Sequence, residues 1–274
     1  MKKTIFFLIF AIALGSCNRD NSSSSTYAHL LQRVDFYPGT ISEKRWLFNA
    51  DGLLKLITKA NGTLVEKFTY DTNNNVIQNI KYENGLPVET NLITYNLSNK
   101  ITVINGINYN YSASENRYYY SIGFNDYNCI LNSDFLVIES HLIYNGTAEI
   151  NHTDFYCEYI LNNMISYNNL SIMVGEISTH YEFDNKINPL KNALLPVFRF
   201  KSLIDTEFFY GSFSSANNIT SQYYFLTDSE SHTYNYAYNS NNLPQIQTIN
   251  NYSGGVFENS SVSAKYYYQG DALP

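Results

Sequence analysis

Charge is scarce in this chain. Only 15% of its 274 residues are Asp, Glu, Lys or Arg, against about 25% in ordinary soluble domains. Asn and Ser stand in their place, as in Asn73-Asn74-Asn75 and Asn239-Ser240-Asn241-Asn242, so amides and hydroxyls wet the surface. Basic residues are the scarcer sign, and the formal net charge is −7. A surface of that sign repels phosphate backbones, which argues against nucleic acid as a partner. Long apolar runs are missing too. Ile5 to Leu14 is the longest useful run, well short of the ~20 residues a spanning helix needs. Catalytic signatures are also absent. The five histidines form neither HExxH nor HxH, and there is no Gly-x-Ser-x-Gly, phosphate loop or dinucleotide fingerprint. Scattered Asp and Glu leave a glycosidase-type carboxylate pair open, but nothing selects one. The expectation is a protein that is not an enzyme and carries no cofactor or metal.

What the chain has in plenty is tyrosine: 26 Tyr and 17 Phe against one Trp. Both fit a pleated, half-buried surface and favour strands. Tyr also packs its ring while its hydroxyl reaches a polar partner. The 44% hydrophobic content supports a substantial core.

The first residues follow an order of their own. Lys2 and Lys3 precede the apolar run, and Leu14-Gly15-Ser16-Cys17 follows it. This resembles the signal peptide and lipobox of bacterial lipoproteins. The resemblance implies cleavage before Cys17 and a thioether-linked diacylglycerol on its sulfur, a stable membrane anchor. Removing Lys2 and Lys3 leaves 15 basic against 24 acidic residues, a net charge of −9. Residues 18–27 are polar and Ser-rich, as expected of a tether, and Asn18 rather than Asp follows the cysteine. The expected location is the cell envelope, lipid-anchored, most consistent with the outer membrane. Residues 28–274 would then form a single β domain.

Within that domain one unit recurs. A strand ends on an aromatic residue, a short Asn/Asp/Gly turn follows, and an apolar alternation resumes. Instances are Phe48-Asn49-Ala50-Asp51-Gly52-Leu53, Tyr70-Asp71-Thr72-Asn73-Asn74-Asn75-Val76, Tyr95-Asn96-Leu97-Ser98-Asn99-Lys100-Ile101 and Tyr238-Asn239-Ser240-Asn241-Asn242-Leu243. Tyr82-Glu83-Asn84-Gly85-Leu86, Tyr144-Asn145-Gly146 and Phe183-Asp184-Asn185-Lys186-Ile187 read likewise. Asn and Gly supply the positive φ of tight hairpins, and the alternation between turns has period two. The spacing predicts an all-β antiparallel meander of roughly 15 strands, forming one large twisted, curved sheet or two packed sheets. Pro189, Pro196 and the apolar residues to Phe209, with few turn signals, predict a short helical crossover near 189–210.

The aromatic-Asp/Asn-x-x-Asn/Gly-x-apolar unit resembles the YD repeat of bacterial Rhs-type proteins. It is more similar still to uncharacterised envelope lipoproteins carrying degenerate copies of it. Residues 181–190 are the best local match, and the resemblance covers most of 45–270. In Rhs proteins such repeats form a long strip of sheet that curls into a shell.

A few residues merit weighing as sites. His141 and His152 flank Asn145-Gly146 and could form a metal site with Glu139 or Asp154, though two strand histidines are more commonly ordinary polar residues. Asp71 to Asn75 opens like a calcium loop, but Val76 and Tyr82 stand where Gly and an acid are needed, so a turn is expected. Cys129 and Cys157 are a possible disulfide in an oxidising envelope, or two buried thiols. Tyr118-Tyr119-Tyr120, Tyr223-Tyr224 and Tyr266-Tyr267-Tyr268 put rings on both strand faces. Exposed, with Trp46, they would form a stacking platform for sugar or peptide; buried, they are core. The reading is a non-catalytic envelope lipoprotein in a binding or structural role, its partner a glycan or envelope protein. Two alternatives stand beside it: a carbohydrate-binding or glycan-handling surface lipoprotein, and an envelope hydrolase.

Overall fold

The computed structural model describes residues 30–132, 137–144, 151–161, 163–171, 175–191, 215–224 and 230–274. They form eighteen antiparallel strands. The first half comprises β1 (Leu31–Phe36), β2 (Lys44–Phe48), β3 (Leu54–Lys59), β4 (Leu64–Tyr70), β5 (Val76–Glu83), β6 (Leu86–Tyr95), β7 (Ile101–Ile104), β8 (Ile107–Ser112) and β9 (Arg117–Ile122). The second comprises β10 (Asn125–Leu131), β11 (Val137–Tyr144), β12 (Asn151–Ile160), β13 (Asn163–Ser171), β14 (Gly175–Ile187), β15 (Asn217–Tyr224), β16 (Glu230–Tyr238), β17 (Pro244–Ser253) and β18 (Val256–Tyr268). Each strand pairs with the one before and the one after it in sequence. β18 pairs back onto β1, setting Val34 opposite Tyr266 and Phe36 opposite Ala264.

The sheet is therefore a closed up-and-down barrel. This corrects the expected open curved sheet, or pair of packed sheets, and raises the strand count from fifteen to eighteen. An open strip of this length would leave two rows of unpaired backbone groups, and joining β1 to β18 removes both edges. No helix occurs among the described residues. The expected crossover at 189–210 has only its start, residues 189–191, among them.

Four hairpin turns share one hydrogen-bond plan. They start at Asn49, Asp71, Asn96 and Asn239, and all join an even strand to the next odd one, so they lie at one end of the barrel. The first side chain's Oδ1 accepts the backbone N–H groups two and four residues on, at 2.8–3.0 Å. Its own N–H donates to the carbonyl four residues on, and its carbonyl accepts from the residue three on. That third residue, Gly52, Asn74, Asn99 or Asn242, has φ between 55° and 77°, a conformation only Gly and Asn adopt cheaply. The recurring Asp/Asn and Asn/Gly positions thus have a mechanical cause. The Phe183–Ile187 instance fails for the same reason. Ile187, three residues after Asp184, is β-branched and has no positive φ, so β14 runs on through it.

Tyrosine hydroxyls tie successive units together. Tyr70 donates to the Leu54 carbonyl, Tyr95 to that of Val76 and Tyr268 to that of Pro244, while Tyr118 accepts from the Ile101 amide. Each of these partners is the first strand residue after one of the four turns. A phenylalanine could pack there but would leave a buried backbone group unpaired.

The inward face of the ring is apolar. Leu31, Val34, Phe36, Trp46, Phe48, Ile57, Phe68, Ile93, Tyr109, Tyr118, Tyr266 and Tyr268 are all buried in one core. Trp46 is 0% exposed. The outward positions include exposed Lys55, Lys67, Thr90, Thr94, Asn108, Asn110, Ser121 and Asn235. Exposed Ile77, Leu92 and Ile246 are scattered among them.

The turn plan predicts that Asn96→Ala, which strips two backbone N–H groups of their acceptor, lowers stability by roughly 1–3 kcal/mol. Asn99→Gly should stay within about 0.5 kcal/mol of the parent. Urea denaturation monitored by circular dichroism reads both, and an unchanged midpoint for Asn96→Ala contradicts the plan.

Candidate functional site

Two polar regions interrupt the apolar lumen. The first is a seam across the inner faces of β4, β5 and β6. Strand pairing sets Phe68, Asn79 and Asn91 in one row and Glu66, Lys81 and Glu89 in the next. Glu66 Oε1 accepts from Asn79 Nδ2 at 2.6 Å, and Asn79 Oδ1 accepts from Asn91 Nδ2 at 3.2 Å. Asn91 also donates to Glu89 and accepts from the Asn105 side chain. Lys81 Nζ lies 3.4 Å from Glu89 Oε2. Burial lifts the Glu66 carboxyl to about 7 despite the opposing hydrogen bond from Asn79. The Asn91 amide holds Glu89 below the usual carboxylate range. Glu66 is thus a buried acid raised toward neutrality, bonded to the Asn79 amide.

The second region is a cavity of about 310 Å³ against the inner faces of β15–β18 and the end of β1. Rings of Phe36, Tyr234, Tyr236 and Tyr266 line it, with the side chains of Asn218, His232, Gln247 and Asn251. Buried Asn188, Leu190 and Ile219 also line it, at the end carrying the four turns. At the opposite end stand exposed Tyr37 and Ser261. Tyr236 donates to the Ile219 carbonyl at 2.9 Å and accepts from Gln247 Nε2 at 2.7 Å. Ser263 Oγ holds the other end of the Gln247 amide. His232 Nδ1 lies 2.8 Å from Asn251 Oδ1.

The structure sorts the candidates read from the sequence. Cys17, the expected lipidation site, lies outside the described residues. Cys129 and Cys157 are free and buried, on β10 and β12 with β11 between them. Cys129 contacts Ser140 Oγ at 3.7 Å, and burial pushes the Cys157 thiol up to about 12, so it is a poor nucleophile. Backbone register pairs His141 with Thr153 and His152 with Leu142, so the two histidines are not cross-strand partners. Among the described residues no cluster of three His, Cys, Asp or Glu could hold a metal. Asp71 is a turn residue, its oxygens committed to Asn73 and Asn75. The outer members of two tyrosine triplets, Tyr118 with Tyr120 and Tyr266 with Tyr268, face the lumen. Their central members face outward, Tyr119 bonded to Glu115 and Tyr267 lying over Arg33. Trp46 is core. The expected exposed platform is therefore absent at these positions, and the aromatics meet polar groups inside the barrel instead.

Glu66, Asn79 and Asn91 were not singled out by sequence. Their signal was present: each is a polar residue at an inward phase of an otherwise apolar alternation.

No protein-family model matches this chain, and no curated protein is similar to it. Two solved structures are similar in outline. A porin-like protein from Bacteroides uniformis shares 9% identity at a TM-score of 0.32, covering 87% of this chain and 96% of that one. A porin-like protein from Bacteroides vulgatus shares 9% identity at a TM-score of 0.34, covering 87% and 98%. Likeness at that level transfers no function.

A carboxyl raised in the folded state favours folding when protonated, so its contribution is lost as pH rises from the ordinary value of 4.5 to about 7. Glu66→Gln, which keeps the acceptor for Asn79, should raise stability at pH 8 by roughly 2–3 kcal/mol. It should also flatten the pH dependence across that window. Equal stability of the two proteins at pH 8 contradicts this.

Proposed function

We propose that this chain is a non-catalytic, lipid-anchored protein of the bacterial cell envelope, most consistent with the outer membrane, whose barrel stands in water and binds a ligand. The observation that carries the reading is the polarity of the ring. A barrel that spans a bilayer turns an apolar band to lipid and keeps its lumen polar. Here Lys55, Lys67, Asn108, Asn110 and Asn235 are on the exposed outer face while Trp46, Phe68, Tyr109, Tyr118, Tyr266 and Tyr268 are buried on the inner one. A lysine on a lipid face costs about 2–4 kcal/mol at the midplane. Among the described residues no helix is long and apolar enough to cross a membrane either. The diacylglycerol expected on Cys17 then supplies the membrane contact.

The recurring turn unit supports kinship with the YD-repeat-like envelope lipoproteins, since its Asp/Asn and Asn/Gly positions do a definable job in this chain. A binding role is favoured by the polar-lined cavity. Glu66, the acid with a neutral-range titration, does not line that cavity, which weighs against a hydrolase.

Replacing Cys17 with Ala should move the protein from the membrane to the soluble fraction of lysed cells, with the barrel still folded. Retention of Cys17→Ala with membranes at the parent level overturns the anchored reading.

A further inference from the structure

We infer that the cavity between β15–β18 and β1 is a binding site for a neutral, polyhydroxylated ligand of saccharide type, about one or two sugar rings in size. The inference deepens the binding role proposed above and rests on it.

The lining decides the class. Among the described residues fifteen line the space, and none of these is Lys, Arg, Asp or Glu. A charged ligand would be desolvated there with no counter-charge among these residues. A wholly apolar ligand fails for the opposite reason. It would cover the Tyr266 hydroxyl and give it nothing to bond. A pyranose has what both sets require. Its C–H faces pack on rings such as Phe36, Tyr234 and Tyr266, and its hydroxyls donate to and accept from amides. A space of about 310 Å³ lies at the small end of ligand pockets, which suits one or two rings and not a long chain.

Tyr266 supplies an independent sign. It is 6% exposed and lines the cavity. Tyr234 bonds Gln222 and Tyr236 bonds Ile219 and Gln247. The Tyr266 hydroxyl, by contrast, has no hydrogen-bond partner among the described residues. That leaves it available to bond a group that enters the cavity.

The direction of access follows from the topology. Leu30 sits beside the Asn49–Leu53 turn, its carbonyl accepting from Gln269 and its side chain against Gly52. The chain therefore enters the barrel at the end of the cavity lined by Asn188 and Leu190. Exposed Tyr37 and Ser261 mark the mouth at the other end.

The test uses the full chain purified in detergent, with isothermal titration of glucose, galactose, N-acetylglucosamine, cellobiose and lactose. Glucosamine and glucuronate are the charged controls and hexanol the apolar one. At least one neutral sugar should bind with a millimolar or tighter Kd, at least tenfold better than any control. Tyr266→Phe should weaken that binding about tenfold, and Ser261→Trp, at the exposed mouth, should abolish it. Ser261→Trp carries the test if Tyr266→Phe does not fold, as judged by its melting curve. Overturning results are no binding of any neutral sugar, binding of a control at equal strength, or unaltered binding in Ser261→Trp. Anchoring is read separately by the fractionation of Cys17→Ala, so failure of the sugar titration cannot be mistaken for failure of the anchored reading.

Discussion

Everything in this structure depends on β1 lying between β2 and β18. A strand with partners on both sides has no edge, and a ring of such strands has a true inside and outside. Period-two alternation then gives each side chain a fixed fate. Register keeps cross-strand partners on the same face, so the row Tyr266, Val34, Trp46 and Ile57 forms a continuous inner layer across four strands. On the other face of β1, Arg33 makes two bonds to Asp35, at 2.6 and 2.5 Å. Arg45 lies 3.9 Å from Asp35 and 2.8 Å from Glu43. The hydrogen bond that Arg33 donates to Asp35 holds its guanidinium above its ordinary range, and the Gly39 amide with Arg45 holds Glu43 below its own. These charges are largely buried. Breaking such a set by removing one member leaves an uncompensated ion and costs more than any surface pair. The seam of the barrel is thus closed by hydrogen-bonded backbone and by a local charge network.

The repeated turns explain how a chain with so little charge and so much Asn forms a regular object. Asn and Asp at the first turn position satisfy two backbone donors each, which releases the loop from any need for packing. Tyr70 and Tyr95, each just before a turn, bond back to the first residue of the strand before their own, so the hydroxyl makes a bond that a ring alone would leave unmade. Burial of those hydroxyls raises Tyr70 and Tyr95 well above the usual range and Tyr118 to about 12. They stay protonated at any physiological pH.

Much of this was legible in the chain. The Asn49, Asp71, Asn96 and Asn239 turns, the antiparallel pairing and the all-β class follow from local spacing, because hairpins are local structures. Closure was not legible. Leu31 pairs with Tyr268, and no local pattern states that two strands more than two hundred residues apart will meet. The residues around Asp184 misled for a different reason. They carry the composition of the turn but place Ile187 where positive φ is required. The tyrosine triplets were read correctly as two-faced, but which face was wet depended on closure. So did the cavity, whose walls come from β1 and β15–β18, elements that are far apart in sequence. The outward lysines and inward rings of single strands were visible, but their bearing on the membrane required knowing that the sheet closes.

Residue-resolved amide hydrogen exchange on β1 and β18 tests closure most directly. In a closed ring, successive amides of β1 bond alternately to β2 and to β18, so all of them from Arg33 to Phe36 should exchange slowly, as should Lys265 to Tyr268. An open sheet would leave every second amide on both strands bare to water. Slow exchange throughout both segments is the result the barrel predicts; an alternating fast and slow pattern along β1 and β18 would contradict it.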